Sequence, residues 1–275
     1  MKLRDRFGVD VGSRLKLEDA IVWAGKNELS HIDVKLDVGE NAWPLLDTKR
    51  CAGIRKLLDK HGVKLGLHSS SAVNVAEYRP LVSDAVTEYL KKYVDLAVKL
   101  GASWTEMHAG FHFTKDKQLR MEAGKERLKR IVGYAEKKKA LILLENLNKE
   151  PDKAEVRYLA HTLEEWQYYW DIKSPSFKLC FTVSHAHLVP EGIEGFVKAL
   201  DFKRVCEVRV ADTWRNGYEI HLKPGDGDLD FGAMFKLVEG KGYKGYYTNG
   251  FTTLDDTATR DYLVERAREA GVKVD

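Results

Sequence analysis

Short apolar or β-branched runs alternate with longer stretches of 3.6-residue periodicity along the whole chain, and no other feature constrains its fold as strongly. The runs predict strands over Phe7–Gly12, His31–Asp37, Val63–Ser70, Ser103–Gly110, Leu141–Leu147, Phe177–Ala186, Val205–Asp212 and Gly245–Phe251. Between them, helical patterns cover Leu17–Glu28, Arg79–Leu100, Lys117–Lys139, Thr162–Lys173, Gly192–Leu200, Phe231–Glu239 and Asp255–Ala270. Gly62, Gly101, Gly242 and Gly271 each follow a helical stretch, where a left-handed C-cap favours glycine. Repeated strand–helix units bury both faces of a parallel sheet.

Eight such units in 275 residues fit a closed (β/α)8 TIM barrel, an α/β fold of roughly 250 residues. An open doubly wound sheet is the alternative, because periodicity does not prove closure. No linker or low-complexity tract divides the series, so residues 1–275 read as one domain. No G-x-G-x-x-G follows the first strand, no P-loop pattern occurs, and Gly225-Asp226-Gly227 lacks the rest of either fingerprint.

With 44% hydrophobic residues the chain can build a sizeable core, and 45 Lys plus Arg against 42 Asp plus Glu leaves only +3. That balance gives no electrostatic reason to expect nucleic acid or a membrane as partner. Lys137-Lys138-Lys139 and Lys91-Lys92 read as solvated helix faces. Three cysteines, Cys51, Cys180 and Cys206, form no C-x-x-C pair, which suits a reducing, cytoplasmic setting. Neither a signal peptide nor a run approaching ~18 apolar residues is expected.

Side chains at the C-terminal ends of barrel strands surround one mouth, so polar groups there are the functional suspects. His68, His108, His185, His187 and His221 all fall at or just beyond predicted strand ends. A lone histidine there is more often a hydrogen-bonded structural residue; five converging on one rim point to function. Glu145 emerges from Leu141-Ile142-Leu143-Leu144, where an unpaired charge would be costly, so a metal, an imidazolium or Arg209 should compensate it. Arg209 and Asp212 close the seventh strand. His31, His61 and His161 read as structural or solvated, and His112 is open to either role. The aromatic group Trp166, Tyr168, Tyr169 and Trp170 reads as core or, preferably, as an oligomer interface.

These residues resemble the xylose isomerase-like TIM barrels, a family with sugar-phosphate isomerases, epimerases and an endonuclease IV branch. The resemblance is carried by Leu67-His68, Glu106-Met107-His108-Ala109-Gly110, Leu144-Glu145-Asn146, Phe181-Thr182-Val183-Ser184-His185-Ala186 and, most specifically, His221 through Phe231. It implies a divalent metal (Mn, Mg, Zn or Co) held by a Glu, an Asp, a His and a second Glu from the last four strands. Only Glu145 matches. Thr182, Arg209 and Gly250 or Asn249 stand at the other three positions, so the resemblance leaves metal-independent action at least equally open. Two weaker ligand groups resemble the endonuclease branch: His68, His108 and Glu145, and His185 with Glu219 and His221.

The expected function is proton abstraction next to a carbonyl in a sugar, sugar phosphate or keto acid, by an isomerase or epimerase. Glu145, His185 and His108 are the expected catalytic residues, and His68, Arg209, His221 and Asp212 the expected substrate-binding ones. Arg209 would engage an anionic group of a small-molecule substrate bidentately or stabilise an enolate. Alternatives are lyase or dehydratase chemistry, a non-catalytic metabolite binder and, least favoured, abasic-site DNA cleavage. A homo-oligomer is expected from the family.

Overall fold

The computed structural model describes residues 1–250 and 256–275. Eight strands close a barrel: β1 Phe7–Gly12, β2 His31–Val34, β3 Lys64–His68, β4 Trp104–Met107, β5 Ile142–Glu145, β6 Phe177–Thr182, β7 Val205–Val210 and β8 Tyr246–Asn249. Every neighbouring pair is parallel. β1 pairs with both β2 and β8, with Val9 opposite Ile32 and Phe7 opposite Tyr247, so no edge remains and the open-sheet alternative falls.

The strands alternate strictly. Phe7, Val9, Ile142, Leu144, Val208 and Val210 point outward into the layer beneath the helices, where they are fully or almost fully buried. Their sequence neighbours point into the barrel. At its N-terminal end the inward His31, Trp104 and Tyr246 contact one another with ring centroids 5.2–5.5 Å apart and plug the bottom. Glycine is required beside this plug, because a Cβ on Gly66 would lie 1.8 Å from Asp33 Oδ1 and 2.4 Å from Trp104 Nε1. The polar inward residues are left for the opposite end.

Several elements differ from expectation. β6 stops at Thr182 and turns into a short helix, Val183–His187, instead of running to Ala186. The run Thr-Val-Ser-His-Ala alternates as a strand would, and a single helical turn leaves too short a pattern to reveal its period. A helix at Thr48–His61, capped by the Asp47 side chain on Arg50 N–H, fills the interval between β2 and β3. Phe111–Phe113, expected as loop, pairs with Val156–Tyr158 as a small two-stranded antiparallel sheet. The helix expected over Thr162–Lys173 spans Leu163–Tyr169. Phe251 and Asp255, expected ends of the last strand and last helix, lie outside the described residues.

Within the aromatic group Trp166 and Tyr169 are core, whereas Tyr168 and Trp170 are half-buried. Trp166 and Tyr169 have no exposed surface, and Trp166 packs on Phe181 and Phe196 with ring centroids 6.2 and 6.0 Å away. All three cysteines are free thiols, two of them buried. No helix among the described residues is long and apolar enough to cross a membrane.

Candidate active site

The strand ends form a cup of about 320 Å³, lined by His68, His108, Glu145, His185, Glu219 and His221, with Arg209 at its floor. Glu145 ends β5 and is 3% exposed. Its Oε2 lies 3.0 Å from His108 Nε2 and 3.8 Å from His68 Nε2, and its Oε1 lies 3.6 Å from His185 Nδ1. Thr182 Oγ1 donates to Glu145 Oε1 as well. Burial alone would raise the Glu145 carboxyl, but His108, His68 and His185 outweigh it and hold it well below the usual carboxylate range.

Backbone carbonyls orient two of the imidazoles. His68 Nδ1–H donates to Ser69 O at 2.8 Å, and His185 Nδ1–H to Asn146 O at 2.7 Å, so each presents Nε2 to carboxylates. Asn146 itself ties β5 to β6, accepting from Thr182 N–H at 2.7 Å and donating to Thr182 O at 3.0 Å. His185 Nε2 lies 3.5 Å from Glu219 Oε1, and His221 Nε2 lies 2.5 Å from the same oxygen. Two of the imidazoles shift in opposite directions. Burial lowers His108, whereas for His185 the same burial effect is overcome by Glu219 and Glu145, which raise it.

Arg209 corrects the expectation of a free anion-binding cation. It is 4% exposed, and its Nη1 donates to Asp33 at 2.9 Å, Glu106 at 2.8 Å and Glu207 at 3.3 Å, while Nη2 donates to Asp10. These carboxylates come from four strands, which only the interior of a closed barrel can unite. Burial pushes Glu106 and Glu207 well above the usual carboxylate range despite Arg209. For Asp10, burial is outweighed by Arg209, which brings its carboxyl down to about 2. Asp10 is thus the anionic partner of the guanidinium.

Asp212 is a second correction. It is 1% exposed and its carboxylate accepts from the backbone N–H groups of Thr213, Gly225, Gly227 and Leu229 at 2.8–3.1 Å. It organises the loop after β7 and has no free oxygen for substrate. A Cβ on Gly227 would lie 2.3 Å from Asp212 Oδ1, which explains the small residue there. His187 also leaves the cup and pairs with Asp228 at 2.9 Å. His112 lines a neighbouring depression, its Nδ1–H donating to Phe113 O at 2.8 Å. The third to seventh strand ends do not include Asp10 and Lys35, which line the cup at the ends of β1 and β2, or Tyr158 from the small two-stranded sheet. Asp10 and Lys35 were open to the strand-end rule applied elsewhere.

The four-residue metal set implied by the resemblance does not fit these side chains. Thr182 is a hydroxyl bonded to Glu145, Arg209 is a fixed cation, and the last position, Gly250 or Asn249, supplies no carboxylate. Two other groups fit a divalent ion by donor chemistry. Ligand atoms of His68, Glu106, His108 and Glu145 lie within 4.8 Å of one another, as do those of His185, Glu219 and His221. His108 Nε2 and His221 Nε2 approach carboxylates closely without hydrogen-bond alignment, and both ring nitrogens of His108 lack a hydrogen bond. Imidazoles with carboxylates suit zinc or cobalt better than magnesium.

Comparison with known proteins agrees with this architecture. A D-tagatose 3-epimerase-like protein has 21% identity over 98% of each chain and a TM-score of 0.80. A D-psicose 3-epimerase from Clostridium cellulolyticum H10, solved with D-tagatose, has 15% identity over 98% of this chain and 96% of its own, with a TM-score of 0.74. A 3-keto-D-glucoside 4-epimerase from E. coli has 13% identity over 96% of this chain and 99% of its own, at 0.73. These likenesses establish the fold. Comparison with curated proteins finds no match. The family model of the xylose isomerase-like TIM barrel matches residues 31–272, and the chain belongs to that family.

Proposed function

We propose that the protein is a sugar isomerase- or epimerase-like enzyme that moves a proton on a carbon next to a carbonyl. The observation that carries this reading is the meeting of Glu145, His108 and His185 in one small cup, with the two imidazoles shifted in opposite directions, His108 down and His185 up. Groups whose surroundings push their pKa values apart supply a base and an acid at one pH. His108, lowered by burial and 3.0 Å from Glu145, accepts the proton from carbon. His185, raised by Glu219 and Glu145 against the effect of burial, donates to the developing oxyanion. The sugar epimerases that share the fold support a polyhydroxy-carbonyl substrate.

Incubation with a panel of ketoses and keto acids in D2O tests the step directly. The wild-type protein should exchange the proton α to the carbonyl, and Glu145→Gln and His108→Asn should each slow exchange by about 10²-fold or more. Absence of exchange across the panel would end this reading.

A second reading rests on the ligand atoms that approach one another without hydrogen bonding. His68, His108 and Glu145 would hold a divalent metal, and a metal there would polarise the substrate carbonyl. His108 would then serve as ligand, leaving His185 and Glu219 as the groups that move protons.

A further inference from the structure

Two cations that line the cup, Lys35 and Arg14, have no ion pair among the described residues, and Glu150 at its rim accepts from Asn148 Nδ2 at 2.7 Å. Glu145 and Glu219 are met by imidazoles, and Asp10 by Arg209. Arg14 donates to the Asp10 carbonyl. Lys35 lies one residue beyond β2, where its backbone N–H donates to Gly12 O at 3.0 Å and fixes it beside the end of β1. Its side chain is half-buried and lines the cup, yet among the described residues its ammonium has neither a hydrogen bond nor an ion pair. The nearby Asp10 carboxylate feels the charge of Lys35 but is bonded to Arg209, so the half-buried ammonium keeps its own donors for an anion in the cavity.

Barrel order places it. With eight strands in sequence around the ring, β2 lies across from β6 and β1 across from β5. Lys35 therefore faces the cup from the wall opposite His185, and Arg14, after β1, from the wall opposite Glu145. A substrate whose reacting carbons meet His108 and His185 reaches the Lys35 wall with its far end.

We propose that Lys35, assisted by Arg14, binds a carboxylate or phosphate at the end of the substrate remote from the reacting carbons. The substrate class is then an anionic keto sugar. The inference rests on the function proposed above for the same cup, and it transfers to Lys35 the anion-binding role that Arg209 is too fully paired to perform.

Calorimetric binding of three probes tests it without turnover: D-fructose as the neutral compound, 5-keto-D-gluconate for carboxylate and D-fructose 6-phosphate for phosphate. At least one anion should bind about tenfold or more tightly than fructose, corresponding to about 1.4 kcal/mol, and added salt should weaken that preference. The better anion identifies the group. Lys35→Met, which keeps the aliphatic stem, should reduce the preference to about twofold or less, and Lys35→Arg should restore most of it. Equal or absent binding of both anions, or a preference that survives in Lys35→Met, overturns the proposal. Anion binding that depends on Lys35, without α-proton exchange in D2O, would overturn the proposed reaction and leave this site standing.

Discussion

One guanidinium cannot neutralise four carboxylates, and the surroundings of Arg209 divide them. Burial raises Asp33, Glu106 and Glu207 above the usual carboxylate range, whereas Asp10 is brought down to about 2 by Arg209. Because the folded value of Asp10, about 2, lies below its ordinary 3.8, this pair contributes stability that is complete above pH ~4 and is lost as pH falls through about 2. Arg209→Met should reverse the sign. Buried carboxyls without their cation have raised values, so the variant should lose about 3–5 kcal/mol near neutral pH and recover part of it on acidification. Urea unfolding across pH, with carboxyl ¹³C titration of Asp10, measures both effects; an unshifted Asp10 in the variant would refute the pairing. Glu145 was legible in the sequence because an acid ending an apolar strand demands a partner. The role of Arg209 was not, since its partners at 10, 33, 106 and 207 become neighbours only when the ring closes.

Among the elements, the segment after β7 shows how a motif can be visible while its purpose is hidden. The segment from His221 to Phe231 carries the family resemblance, and Asp212 reads as a substrate ligand at a strand end. Instead, Asp212 gathers the backbone donors of that segment, and its pairing with Leu222 across a single β-bridge sets where His221 enters the cup. Removing a buried acceptor that satisfies several N–H groups leaves them unpaired, so Asp212→Ala should cost about 2–4 kcal/mol. Hydrogen exchange at Gly225, Gly227 and Leu229 should accelerate well beyond exchange at the β5 amides; equal acceleration everywhere would mean that the loop has no separate anchor. The end of β6 makes the complementary point. Its apolar run marked the strand correctly, but a side chain presented from one helical turn, as His185 is, leaves no periodic trace.

Across the whole molecule, the number and direction of strands followed from the repeating pattern, whereas closure depended on β1 meeting β8, a contact between residues some 240 positions apart. Closure also decides what metal binding would do. His68, His108 and Glu145 stand on β3, beyond β4 and on β5, so their donor atoms converge only in the folded barrel, and an ion held there stabilises the folded state alone. At a free-ion concentration about 100 times Kd the gain is about 2.7 kcal/mol, or roughly 5–10 °C in Tm for a chain of this size. Chelator-treated protein titrated with zinc, cobalt and magnesium should therefore rise in Tm with the first two and far less with the third, following imidazole affinity. His108→Ala should abolish the rise if the ion sits with Glu145. A rise that survives in His108→Ala but disappears in His221→Ala assigns the ion to His185, Glu219 and His221. If no ion raises Tm, the metal reading fails, and His108 remains free to accept a proton, as the first reading requires.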